Sequence, residues 1–77
     1  MAEKKKYTIG QKIKRARLHR KMSYDDLAML TGLSTVGIRN IEKGKVNNPH
    51  IGTIARIAKA TKVKLTWFVE NLEVNFE

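Results

Sequence analysis

The chain has 77 residues, no cysteine, and 16 lysines and arginines against seven acidic side chains, for a net charge of +9. That length predicts one domain that buries about 60% of its unfolded surface, with a core too small to wall a deep substrate cleft. Without cysteine, disulfides and thiolate zinc sites are excluded. No apolar run approaches the ~20 residues of a membrane span, and Lys4-Lys5-Lys6 lacks the apolar stretch that must follow in a signal peptide.

The charge is concentrated. Residues 1–21 hold nine bases and one acid, so nearly all of the +9 sits there. A polyanion is the natural partner, because neutralising phosphates releases counterions. A solvated basic face that aids solubility is the plain alternative.

Residues 1–7 are polar, basic and aperiodic, which predicts a mobile arm. Thr8 with Gln11 three residues later is a capping-box pattern. It opens a helix over about Ile9–Lys21, with Ile9, Ile13, Ala16 and Leu18 toward the core. Ser23 is placed to cap a second helix, whose first turn carries Asp25 and Asp26 at the positive end of its dipole. That helix runs to about Thr31 and is expected to bury Leu27, Ala28 and Leu30. Gly32 can take the left-handed conformation that stops it.

Ser34 is placed to cap a third helix that extends to Lys43 and is closed by Gly44. Leu33, Ile38 and Ile41 supply its buried face. Two short helices around a glycine-bearing turn form the arrangement that sets the second helix into the major groove of DNA. After a polar loop over Lys45–His50, Pro49 leads into a fourth helix over about Ile51–Thr61, with Ile51, Ile54, Ala55, Ile57, Ala58 and Thr61 at helical spacing. Thr66 would cap a fifth helix over about Trp67–Asn71. Leu72, Val74 and Phe76 alternate with Glu73, Asn75 and Glu77, a period that could pair as a short strand. The expected architecture is all-α: an arm over 1–7, a compact five-helix domain over 8–71, and a tail over 72–77 that could serve dimerisation.

The residues Ile9-Gly10, Ile13, Arg17, Met22-Ser23, Leu27-Ala28, Gly32-Leu33-Ser34, Ile38, Ile41-Glu42-Lys43-Gly44-Lys45, Pro49, Ile54, Ile57-Ala58-Lys59-Ala60 and Val63 fall in one order. In that order they resemble the phage repressor/Cro helix-turn-helix family, also called the Xre family, over about residues 9–70. The resemblance implies a lambda-repressor-like fold and sequence-specific binding of double-stranded DNA, usually as a symmetric homodimer, for transcriptional repression. It also implies an ion pair between Arg17 on the first helix and Glu42 at the end of the third. Two residues depart from the family pattern. The residue opening the second helix is commonly Gln, which helps grip a phosphate; here it is Tyr24, whose hydroxyl could do similar work. Gly37 interrupts the third helix at a cost of about 0.5–1 kcal/mol against Ala, offset by close approach to DNA or simply tolerated.

With Ile38 and Ile41 buried, Thr35, Val36, Arg39 and Asn40 face outward, with Gly37 adjacent. Arg39 could donate in a fork to guanine, Asn40 could pair with adenine, and Thr35 or Val36 could meet a thymine methyl. The plain alternative for Arg39 is an ion pair or phosphate clamp. Phosphate contacts are expected from Arg17, Ser23, Tyr24 and Ser34, and from Lys43, Lys45, Asn47 and Asn48 beyond the third helix. The plain alternative for the two asparagines is turn chemistry. Lys4–Lys6 could track the DNA backbone or stand idle in solvent.

Catalysis is not expected. Ser23 and Asp25 have roles at a helix start, Asp25 and Asp26 point apart as helix neighbours, and His19 and His50 lack companions at metal-ligand spacing. Trp67 and Phe68 are core or interface anchors. No metal or cofactor is implied. The leading expectation is a small cytoplasmic, nucleoid-associated repressor, bacterial or phage-encoded, on a palindromic operator, with signals reaching it through a regulatory protein partner, proteolysis or concentration. The alternatives are an antitoxin-like or adaptor module that chiefly holds a protein, and a non-specific polyanion binder.

Overall fold

Thr8 opens the first helix with two reciprocal hydrogen bonds. Its hydroxyl accepts from the Gln11 backbone N–H at 3.1 Å, and its own N–H donates to the Gln11 side chain at 2.9 Å. The computed structural model describes residues 7–70. Among them lie five helices and no strand: α1 (Ile9–His19), α2 (Tyr24–Thr31), α3 (Thr35–Glu42), α4 (Ile51–Thr61) and α5 (Leu65–Val69). Ser23 and Asp26 repeat the reciprocal cap at α2. None of the described helices is long and apolar enough to cross a membrane.

The stops are local as well. Gly32 ends α2 at φ 79°, its N–H donating to Ala28 O at 2.8 Å. α1 ends at His19 rather than Lys21, because Lys21 turns left-handed at φ 57°. α5 begins at Leu65, two residues before the expected Trp67; its N-cap is Lys64, so Thr66 lies within the helix instead of capping it. The expected strand over Leu72–Phe76, Asn71 and the Lys4–Lys6 arm lie outside the described residues.

All five helices feed one core: Ile9, Ile13 and Ala16 from α1, Leu27 from α2, Ile38 and Ile41 from α3, Ile54, Ile57 and Ala58 from α4, and Phe68 from α5. Thr31 and Thr61 join it because each hydroxyl donates back to a carbonyl one turn earlier, Leu27 O at 2.7 Å and Ile57 O at 2.8 Å. Three expected core residues are exposed: Leu18 (53%), Leu30 (61%) and Ile51 (60%). In α1 the inward stripe continues through Arg17, which turns Leu18 out. In α2 the inward place belongs to Thr31 beside Leu27, and Ile51 sits at the first position of α4. α3 packs against α1 and α2, and the side of it away from them stays open.

Candidate nucleic-acid interface

Ser34 fixes the start of α3, its hydroxyl accepting from the Gly37 N–H at 2.9 Å. A Cβ on Gly37 would stand 3.0 Å from that oxygen, a tight contact, although Gln11 and Asp26 hold the matching position at the caps of α1 and α2. Beyond the Ser34 cap Val36 is 62% exposed and Arg39 is also exposed, while Thr35, Gly37 and Asn40 are half-buried. Ser23, Ser34, Lys43, Lys45, Asn47 and Asn48 are all exposed. The loop after α3 is tied to the helix by the N–H groups of Lys45 and Val46, which donate to Asn40 O at 2.8 and 3.2 Å.

Behind this surface lies a buried polar cluster. Arg17 Nε donates to Glu42 Oε2 at 2.8 Å and Nη2 to Oε1 at 3.1 Å, a two-pronged pair. Nη1 donates to Met22 O at 2.9 Å. The Glu42 hydrogen bond, opposed by burial and aided by the charge of Glu42, holds the Arg17 guanidinium above its ordinary pKa. A raised folded-state value means stabilisation that is present below the unfolded pKa and lost only as pH climbs through the folded one. For arginine that window lies far on the alkaline side, so this group adds no pH dependence near neutrality.

Arg17 was expected both in this pair and on a phosphate. Its side chain is only 7% exposed and its donors are directed to Glu42 and Met22, which argues against direct phosphate contact. Tyr24 departs from expectation in a similar way. Its hydroxyl donates to Glu42 Oε1 at 3.1 Å, so it closes the cluster instead of standing free for a phosphate. Nothing in the sequence marks what its ring does. The Arg17 guanidinium lies 4.1 Å and that of Arg39 4.9 Å from the ring centroid. One aromatic side chain thus links the buried pair to the exposed arginine of α3.

Two capped helices around a left-handed glycine, the second open to solvent and braced by an ion pair to α1, define a helix-turn-helix domain. The HTH_3 helix-turn-helix profile matches residues 13–68, and the chain belongs to that family. It is 36% identical over 56 residues to the HTH-type transcriptional repressor RghR of Bacillus subtilis (strain 168), a match covering 73% of this chain and 42% of RghR. The chain thus spans about two-fifths of the length of the curated relatives it matches. The N-terminal DNA binding domain of SinR from Bacillus subtilis has the same fold, with a TM-score of 0.75 at 28% identity, covering 86% of this chain and 97% of that one. The crystal structure of SinR, the master regulator for biofilm formation, in complex with DNA gives 0.77 at 26% identity, covering 80% and 98%.

Proposed function

We propose that this domain is the DNA-reading part of a transcriptional regulator, most simply a repressor, that places α3 in the major groove of a palindromic operator. The observation that carries this reading is the exposed outer side of α3, held at a fixed angle by the Arg17–Glu42 pair. Arg39 takes guanine, Asn40 takes adenine, and Thr35 and Val36 supply apolar contacts, with Gly37 beside them. Ser23, Ser34, Lys43, Lys45, Asn47 and Asn48 take phosphates, while Arg17 acts through Glu42. A relative that is a transcriptional repressor and a neighbour solved in complex with DNA support the same reading. On DNA it works as a homodimer in the cytoplasm, with half-sites about 34–36 Å apart, the 72–77 tail serving dimerisation and the 1–7 arm tracking the backbone.

Selection from random duplexes, repeated at rising salt, tests this directly. A few sequences should hold tightly where bulk binding has collapsed. Uniform loss across all sequences would leave only a polyanion binder. Arg39→Ala should relax preference at one base position by about 1–3 kcal/mol, whereas Lys43→Ala should weaken all sequences alike and lower the salt slope by about one. A protein-holding module is the second reading. It is favoured by the adjacent exposed side chains Met29 (80%) and Leu30 (61%) at the end of α2, and it takes over if no duplex is selected.

A further inference from the structure

We infer that Tyr24 is the positioning residue for base readout by Arg39, a preformed platform that sets where the exposed guanidinium stands before DNA arrives. The inference rests on the DNA-reading function proposed above and names the residue that controls its specificity. Two contacts hold the ring, and a third braces them. Its hydroxyl is anchored to Glu42 Oε1 at 3.1 Å, Glu42 is itself gripped twice by Arg17, and the Arg17 guanidinium stacks 4.1 Å from the ring centroid. Tyr24 therefore cannot rotate without disturbing a pair whose side chains are only 7% and 2% exposed. Arg39 lies against this fixed ring at 4.9 Å.

The two arginines use the ring differently. Arg17 directs Nε, Nη1 and Nη2 to protein acceptors. The Arg39 side chain makes no hydrogen bond or ion pair among the described residues, and its guanidinium carbon lies over the Tyr24 ring, 4.9 Å from the centroid. Its N–H donors are not taken up by protein acceptors, and the planar fork they form matches guanine O6 and N7. A flexible side chain already held in place loses less freedom on binding, and a wrong base meets a fork that cannot easily swing away. Glutamine at this position would offer no such surface.

The test uses the full chain, the operator selected by the native protein, and that operator with each base pair changed in turn. Tyr24→Leu should lower discrimination about tenfold at the single position that Arg39→Ala relaxes, and the double variant should lose no more than Arg39→Ala alone. Tyr24→Phe keeps the ring and should retain most of the discrimination. Equal weakening on all duplexes with a smaller salt slope would make Tyr24 a phosphate contact and overturn the proposal, as would relaxation at other positions. Arg39 side-chain Nε relaxation by NMR in the free protein reads the platform without DNA. The group should be ordered in the native chain and in Tyr24→Phe and mobile in Tyr24→Leu, the same spectra showing that the fold persists. Mobility in all three sinks the platform. If the native protein selects no sequence, the DNA-reading function itself fails, an outcome separate from a preference that survives Tyr24→Leu.

Discussion

α1 buries a cation on each of two sides, and the two are satisfied by different chemistry. Toward α3, Arg17 meets the carboxylate of Glu42 at 2.8 Å. Toward α5, Lys12, only 3% exposed, donates to the carbonyls of Trp67 at 2.7 Å and Glu70 at 2.6 Å, with its ammonium 5.2 Å from the Trp67 ring centroid. The first seam joins charge to charge in a planar, two-pronged geometry that fixes an angle. The second places a compact cation at the carbonyl-rich end of a five-residue helix, where the last C=O groups have no partner of their own. The α3 seam fixes the orientation of α3. The α5 seam closes the core behind it.

The largest break in that comparison should come from Glu42→Ala. It strands the Arg17 guanidinium in a buried site and should cost about 3–5 kcal/mol in urea unfolding. Replacing both partners by apolar residues, Arg17→Met with Glu42→Leu, should cost far less, because no lone charge remains. If the single variant lost less than about 1 kcal/mol, the pair would be behaving as an exposed one, and the seam would rest on apolar packing alone.

Gly10→Ala attacks the same seam through the backbone. A Cβ there would collide with the carbonyl oxygen of Ile41 and stand 2.8 Å from that of Glu42. α1 and α3 would have to separate, at about 1–3 kcal/mol, despite alanine's better helix propensity. Gly52 is the control, since a Cβ on it meets nothing within 4 Å. Gly52→Ala should raise stability by up to about 1 kcal/mol. Thermal midpoints moving in opposite directions for the two alanines would locate the close approach. Parallel shifts would refute it.

The two seams also differ in how legible they are in sequence. A carboxylate is a letter, so Glu42 could be matched to Arg17 through the family pattern. A carbonyl is carried by every residue, so nothing in the sequence marks Trp67 and Glu70 as acceptors for Lys12. The caps at Thr8, Ser23 and Ser34 and the stop at Gly32 were readable for the same reason, each being local chemistry at a fixed offset. Leu18, Leu30 and Ile51 were not. A helix of two or three turns has too few apolar positions to say which edge of the stripe meets a neighbour. At the interface, the outward stripe of α3 followed from its buried residues. The cation–π contact of Arg39 with Tyr24 joins residues on different helices and has no sequence signature.

Lys12→Met tests the α5 side. Methionine keeps most of the apolar stem but leaves two carbonyls without their donor, a loss of about 1–3 kcal/mol when such groups are poorly hydrated. The effect should be local. Amide exchange should quicken in α5 and around Phe68, while α2 and α3 keep their protection, because α5 packs on α1 and α4. Operator affinity measured well below the melting temperature should then fall less than it does for any variant of the Arg17–Glu42 pair that still folds. If Lys12→Met instead loosened α3 and the operator complex as strongly as Glu42→Ala, the two sides of α1 would form one cooperative unit. The division between a seam that aims the reading helix and a seam that closes the core would then fail.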